Sequence, residues 1–488
     1  MVKELSYTNT SVSFNISKLK KQRWFKANHP EKWQARYDEL QKDLKKTLVF
    51  KDEGGTYIRP GSIPYLPFKA EVTNLVEYPA LKKFAWHKKP PYQPYPYQSE
   101  SVEKLILERH GAVSLCTGSG KSLILQMLTR EMGLRTVVTV PTKGIFLEVM
   151  EAFENAFGKG KVGAFGNGKK DIKKDITVAI GKSLTLIKPG SPEEKFFKNK
   201  QVMIVDEAHT FGSSELDRTC HGVLSDIPYR FFLSGTQTRG DGSVPLLQSI
   251  VARIVHVMTT KDGIAGGFLS PLEVRVLTVN STNPMFYKDD PAEMKREHFL
   301  YNMNVIKQAA MIANTSAQKL GENTLILVEE IEQMALLIKE LKVPFVYTHG
   351  NTTSKDELAA MGLEKTDLKE ALDKFHRRVD GTMVLVGTEN ISIGVNTFAH
   401  NGINLQGGAS EIGTKQGIIG RMVRITQKSK YAEFHKEKKV AKIWDFRINI
   451  PKDARHKEGP DLMEKHLQKR IGFYEETGSP IIQIDNRK

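Results

Sequence analysis

Leu115-Cys116-Thr117-Gly118-Ser119-Gly120-Lys121-Ser122 stands between the apolar run 112–115 and an amphipathic stretch opening Leu123-Ile124-Leu125-Gln126-Met127-Leu128. Strand, glycine turn, helix is the order that a phosphate-binding loop requires. Gly118 and Gly120 let backbone N–H groups close around phosphate oxygens, with Thr117 and Ser119 between and beside them, and the helix N-terminus adds positive potential. Lys121 reaches the β- and γ-phosphates, and Ser122 holds Mg²⁺. Leu115 replaces the Gly or Ala that usually opens this pattern, but it belongs to the strand end rather than to the cradle. Cys116 reads as a packing residue. The segment predicts a nucleotide-binding α/β lobe.

Outward from the loop, short apolar runs alternate with longer helical stretches: 112–115, 136–140, 177–180, 202–205 and 230–233. This is the rhythm of a parallel sheet with crossover helices. The run 202–205 ends in Asp206 and Glu207, followed by Ala208 and His209. Ligands of open α/β sheets bind at the carboxyl edge, where these two acids fall. Asp206 is placed to hold the Mg²⁺ hydration shell, and Glu207 to orient and deprotonate an attacking water. After the glycine-rich stretch 263–271 the rhythm restarts, with runs at 324–328, 345–347, 383–386, 402–405 and 442–446. Two α/β lobes in tandem account for this. The second supplies Gln416-Gly417-Ile418-Ile419-Gly420-Arg421-Met422-Val423-Arg424. Arg421 and Arg424 are one helical turn apart, which would aim both at one cleft as arginine fingers whose action depends on lobe closure.

The 488 residues exceed the ~150 of an ordinary domain about threefold, so two or three cores are expected. With 40% hydrophobic and 26% charged residues, the composition is that of a folded globular chain. The opening residues hold no apolar core of the kind a secretion signal needs, and no run approaches the ~18 apolar residues of a membrane span. Two cysteines, Cys116 and Cys220, make neither a disulfide framework nor an all-cysteine zinc site. A cytoplasmic protein with reduced thiols is expected. A net charge of +16 attracts polyanions through counterion release and makes nucleic acid the first partner to consider.

Residues 1–89 form a separate block with roughly twice as many Lys/Arg as Asp/Glu. Val12, Phe14 and Ile16 alternate like a half-buried strand, and Trp33, Tyr37, Leu40 and Leu44 recur at helical spacing after Pro30. The pattern predicts a small basic α+β domain. Arg23, Trp24, Phe25 and Lys26 interleave charge with aromatic rings, as a nucleic-acid surface with a stacking or wedging side chain does. The proline-rich run 88–98 reads as a stiff linker, so a chain beginning near Lys89 is expected to keep the motor's activity. The lysine-rich stretch 158–170, with Lys173 and Lys174, reads as a flexible solvated connection.

The Gly120-Lys121-Ser122 loop, the Asp206–His209 tetrad and the Gln416–Arg424 string, in this order on two lobes, resemble the superfamily 2 helicases and translocases. Gln98 resembles the Q motif that reads adenine, with Tyr95 or Tyr97 as stacking partner. Pro141-Thr142 and Gly181-Lys182-Ser183 resemble the loops that grip one strand's phosphates. Ser234-Gly235-Thr236 stands where Ser-Ala-Thr is usual. Val386-Gly387-Thr388-Glu389 with Ser392-Ile393-Gly394-Val395-Asn396 resembles motif V, Gly394 being nucleotide-facing and Asn396 standing where Asp is commoner. The resemblance spans about 95–450 and implies a role for His209 in coupling the lobes. Gly267-Phe268-Leu269-Ser270-Pro271, Trp444-Asp445-Phe446 and His466–Ile471 are similar to features of phage UvsW-type and RecG-like repair helicases.

That likeness implies an α/β fold of two tandem RecA-like parallel-sheet lobes preceded by the small basic α+β domain. The expected divisions are an accessory DNA-binding domain at 1–89, lobes at 90–265 and 266–450, and a helical segment at 451–488. It further implies ATP and Mg²⁺ as cofactors and a monomeric motor. Nucleic-acid contacts fall to Thr142, Ser183, Thr388, Trp24 and Phe25, and hydrolysis to Glu207, Lys121, Arg421, Arg424 and Gln416. Forked or branched DNA is the implied substrate, in repair, recombination or replication restart. An RNA helicase, a double-stranded DNA translocase that separates no strands, and a small-molecule P-loop kinase are the alternatives.

Overall fold

The computed structural model of the chain describes residues 3–7, 12–13, 49–52, 55–58, 70–90, 93–211, 213–235, 249–288, 290–350, 354–388, 397–425, 431–450 and 461–485. Contacts divide it into two compact units, Met1–Leu115 with Gly120–Val257 and Cys116–Ser119 with Met258–Lys488.

The first unit opens with a five-stranded sheet of β1 (Lys3–Tyr7), β2 (Val12–Ser13), β3 (Val49–Asp52), β4 (Gly55–Ile58) and β5 (Ala70–Asn74), in the order β3-β4-β2-β1-β5. β1 and β5 run parallel, pairing Lys3 with Ala70 and Tyr7 with Asn74. The expected helix at 33–44 and the residues Trp24 and Phe25 lie outside the described residues.

The segment 75–90 is not a free spacer. It runs along the C-terminal ends of α2 (Lys121–Met132) and α3 (Lys143–Phe157). Lys82 N–H donates to the Met132 carbonyl at 3.1 Å, Phe84 N–H to Arg130 at 3.0 Å and His87 N–H to Ala156 at 2.7 Å. Trp86 stacks on Phe157 with ring centroids 5.3 Å apart. The Tyr229 hydroxyl donates to the Pro79 carbonyl at 3.0 Å. Helix ends leave carbonyls without intrahelical partners, and this strap supplies them. The proline-rich run 88–98 read as a linker begins only where this strap ends, and the strap's contacts use backbone donors, which do not depend on side-chain type.

The motor sheet of this unit holds β6 (His110–Leu115), β7 (Thr136–Val140), β8 (Val162–Gly166), β9 (Lys169–Asp171), β10 (Ile176–Ile180), β11 (Val202–Val205), β12 (Tyr229–Ser234) and β13 (Arg253–Met258). Their order is β13-β6-β12-β11-β7-β10-β8-β9. Pairs from β6 through β8 are parallel, and β9 returns antiparallel to β8. Val202, Met203, Ile204 and Val205 are all fully buried, as expected of a strand covered on both faces. The lysine-rich stretch read as a flexible connection contains β8, whose residues are all buried. Its lysines flank the strand rather than interrupt it, so average composition concealed a buried run of Val162, Gly163, Ala164 and Phe165.

The second unit carries β14 (Leu272–Asn280), β15 (Thr324–Val328), β16 (Phe345–Thr348), β17 (Val384–Gly387), β18 (Asn401–Leu405), β19 (Ala441–Asn449) and β20 (Ile481–Asp485). All neighbours in the order β16-β17-β15-β18-β19-β14-β20 are parallel. Its core gathers Ile306, Ile326, Leu337, Val386, Ile403 and Phe446. The tail expected to be helical contains α4 (Leu462–Glu475) and also ends in β20, which joins the sheet edge beside β14. The fold is two parallel-sheet α/β lobes, each with its own core. Among the described residues no helix is long and apolar enough to cross a membrane.

Candidate nucleotide site and strand-gripping edge

Five of the sequence-selected segments of the first lobe lie at one edge of the motor sheet. The phosphate loop follows β6, Ser234 ends β12, Asp206 follows β11, Thr142 follows β7 and Ser183 follows β10. Because these strands are parallel neighbours in that order, residues scattered over 120 positions become a row. The phosphate loop, Ser234 and Asp206 occupy one half of it, and Thr142 and Ser183 the other.

The loop leaves β6 at Leu115 and enters α2 at Lys121, with Gly118 and Gly120 at φ 88° and 75°. A Cβ on Gly120 would approach Gln98 Nε2 to 2.6 Å, so both backbone conformation and space demand glycine there. Ser119 is buried, Thr117 and Gly118 are half-buried, and Ser122 is exposed on the first turn of α2. Lys121 is only 8% exposed. Its ammonium donates to the Leu115 carbonyl at 3.3 Å and pairs with Glu207 Oε1 at 3.3 Å.

Glu207 sits at φ 48°, left-handed backbone that a non-glycine residue rarely adopts and that turns its carboxylate off the strand axis. Burial pushes its carboxyl up, but Lys121, His209 and a Gly235 backbone hydrogen bond reverse this and hold it below the usual range. Asp206 moves the other way, raised by burial and then by the negative charge of Glu207. Its Oδ1 is buried without a hydrogen-bond partner among the described residues. An orphaned carboxylate oxygen beside a phosphate loop suits a divalent cation, which would satisfy it and favour its ionised form. Asp206 and Ser122 would hold Mg²⁺ together with nucleotide phosphates. Among the described residues, no group of three or more His, Cys, Asp or Glu could hold a metal ion by itself.

Two links within this lobe were not legible from motifs. His209 Nδ1 lies 2.5 Å from Ser234 Oγ, both buried, joining the acidic loop to the end of β12. Gln98, on α1 (Pro96–Glu108), accepts from Tyr95 N–H at 2.9 Å through Oε1 and donates from Nε2 to the Gly120 carbonyl at 3.4 Å. Tyr95 and Tyr97 stack on each other at 5.7 Å, with Tyr97 in the core and Tyr95 half-buried. Gln98 thus couples the start of α1 to the phosphate loop. Gln98→Glu keeps the acceptor for Tyr95 and removes the donor to Gly120. We expect it to raise the ATP KM about 10-fold in a phosphate-release assay, the effect of one lost bond in a buried site. An unchanged KM would detach Gln98 from the loop.

Thr142 caps α3, its hydroxyl accepting from Ile145 N–H at 3.4 Å, and is exposed. Ser183 is half-buried in the short helix Gly181–Leu184. In the second unit, Thr388 is 9% exposed beyond β17, with its N–H on the Thr348 carbonyl at 3.4 Å. Gly394 and Thr236 lie outside the described residues. Gln416 is buried in the π-helix Ile412–Ile419, and the α-helical turn that follows covers only Gly420–Met422. Arg421 is 2% exposed, whereas Arg424 is half-buried and lies past the helix end. The expected pairing of the two on one α-helical turn does not hold, because the helix stops between them. Buried Lys438 donates to the Met422 carbonyl at 2.7 Å and closes that end. Burial and the Arg424 charge push its ammonium down to about 7.

Residues 91–239 match the family described as Type III restriction enzyme, res subunit. The DNA 3'-5' translocase XPB2 of Sulfurisphaera tokodaii is 25% identical over 356 residues, covering 68% of this chain and 78% of its own. The ATP-dependent DNA helicase uvsW of Enterobacteria phage T4 is 22% identical over 416 residues, covering 79% of this chain and 77% of its own. The chain is similar over most of its length to both of these relatives. Among solved structures, the ATP-dependent Type ISP restriction-modification enzyme LlaBIII bound to DNA aligns with TM-score 0.55 at 12% identity, over 82% of this chain and 32% of that one. That likeness is one of fold. The motifs belong to a lobe whose residue set is that of an ATP hydrolase.

Proposed function

We propose that this protein is an ATP- and Mg²⁺-dependent DNA helicase or translocase that remodels forked and junction DNA. The observation that carries the reading is the single sheet edge on which Lys121, Asp206 and Glu207 stand beside Thr142 and Ser183. ATP binds where Lys121 and the loop N–H groups meet its phosphates, and bound Mg²⁺ supplies electrophilic neutralisation of phosphate charge. Lys121 neutralises the phosphates from the other side, and Glu207 takes the proton of the attacking water. Arg421 and Arg424 of the second lobe supply positive charge for the transferring phosphoryl group. Thr142, Ser183 and Thr388 grip the phosphates of one strand. Residues 1–74 select the branched substrate, and the motor acts as a monomer in the cytoplasm.

DNA is favoured over RNA because the relatives spanning most of the chain are named for DNA, and net charge +16 suits a polyanion. The test is ATP turnover with single-stranded DNA, duplex, fork, four-way junction and RNA at one fixed salt concentration. Stimulation by forks and junctions above single strands, with separation or migration of the arms, is the expected result. Greatest stimulation by RNA would overturn the DNA assignment. Triplex displacement without fork unwinding would leave a translocase.

A further inference from the structure

A buried polar cluster in the second unit is used by none of this chemistry. β18 is followed by Gln406, Gly407 and Gly408, after which the chain enters the π-helix that holds Gln416 and leads to Arg421. α4 reaches this connection from the C-terminal side. Arg470, 1% exposed, donates from Nη1 to the carbonyls of Gly407 at 3.0 Å and Gly408 at 2.7 Å. Its Nε and Nη2 grip Asp445 of β19 at 2.7 and 2.9 Å. The Tyr474 hydroxyl donates to Asp445 Oδ2 at 2.7 Å, and Asn404 Nδ2 donates to the Tyr474 oxygen at 3.3 Å. At the other side of the connection, Lys415 on the π-helix pairs with Glu476, just beyond α4, at 2.5 Å.

A two-glycine connection has no side chains of its own to fix its path. Gly407 adopts φ 65°, and a Cβ there would meet Phe299 at 2.7 Å, so position 407 also admits no larger residue. Its position is imposed from outside, by a planar guanidinium whose donors are divided between Asp445 and two carbonyls. A buried ion pair is weak evidence for stability and better explained by geometry it specifies. Here the specified geometry is the entry of the segment that carries Gln416 and Arg421.

We propose that Arg470 is a positioning residue for ATP hydrolysis. Seated on Asp445 and Tyr474, it fixes the Gly407-Gly408 connection and so the orientation of the second-lobe arginine segment. The Lys415–Glu476 pair steadies the same segment one step further along. This rests on the reading that Arg421 and Arg424 act on the nucleotide.

The experiment measures DNA-stimulated kcat, ATP KM, affinity for a fluorescent ADP and the thermal midpoint of full-length Arg470→Lys, Glu476→Gln and Arg424→Ala, at 20 °C. Lysine keeps the charge on Asp445 but cannot fork to both glycine carbonyls. Arg470→Lys is expected to lower kcat about 10- to 100-fold while KM and ADP affinity stay within about twofold, the signature of misplacement rather than lost binding. Glu476→Gln, at a half-exposed pair, is expected to lower kcat about threefold with the midpoint unchanged. If Arg470→Lys does not fold, Glu476→Gln decides alone, and parent kcat in it overturns the proposal. Parent kcat in a folded Arg470→Lys, or a lowered midpoint with parent kcat, leaves Arg470 purely structural while collapse in Arg424→Ala keeps the finger reading. Parent kcat in Arg424→Ala would remove that reading itself and the positioning role with it.

Discussion

Glu207→Gln is expected to bind ATP as the parent does and to hydrolyse it about 10²–10⁴-fold more slowly, the contribution typical of a positioned general base. Glutamine preserves the size of the side chain and leaves Asp206 in place. It removes the ability to take a proton, together with the negative charge that pairs with Lys121. The geometry adds a reason for coupling binding to activation. The Lys121 ammonium is 3.3 Å from Glu207 Oε1 and helps hold that carboxyl low. Phosphates that draw Lys121 away release Glu207 and make it a better base. Lys121→Ala should therefore fail at an earlier step, losing about 10- to 100-fold in nucleotide affinity with one charge-assisted contact. Equilibrium binding of a fluorescent ATP analogue and phosphate release separate the two. Turnover of Glu207→Gln within about threefold of the parent would end its assignment as base.

The second large effect concerns where the chain can be cut. A chain starting at Leu75 should keep ATP turnover on single-stranded DNA and lose preference for forks and junctions. One starting at Pro91 should unfold more easily. It lacks the four backbone hydrogen bonds that Lys82, Phe84, His87 and Lys88 make at the ends of α2 and α3, and the Trp86–Phe157 stack. At about 1 kcal/mol per hydrogen bond and about 1 kcal/mol for the half-buried ring, the loss is about 5 kcal/mol, a large part of a domain's stability. The thermal midpoint should fall by roughly 10 °C relative to the Leu75 start. Equal midpoints would show that the strap is a passive linker. Equal fork preference in the Leu75 start and the full chain would remove the branch-reading role of residues 1–74.

Much of the motor was legible from sequence because its signals are local. A phosphate loop needs glycine at positive φ within a few residues of a lysine, and Gly118 and Gly120 meet that need. Parallel strands covered on both faces must be apolar at successive positions, and 202–205 announces itself for that reason. β8 was hidden by the lysines around it. The final strand was hidden because its five residues, three of them exposed, pair with a strand some two hundred positions earlier.

Residue types, loop chemistry and the two-lobe rhythm are thus properties of the sequence by itself, each decided by neighbours within a helical turn or one strand. The partners of those residues are not. Gln98 meets Gly120 across 22 positions, His209 meets Ser234 across 25 and Arg470 meets Gly407 across 63. A side chain's partner depends on which elements the chain brings together. Only the tertiary structure decides that, through strand order and the path of the chain around the sheet. The same applies to Arg421 and Arg424, whose spacing allows one helical face, while the helix end at Met422 sets them apart.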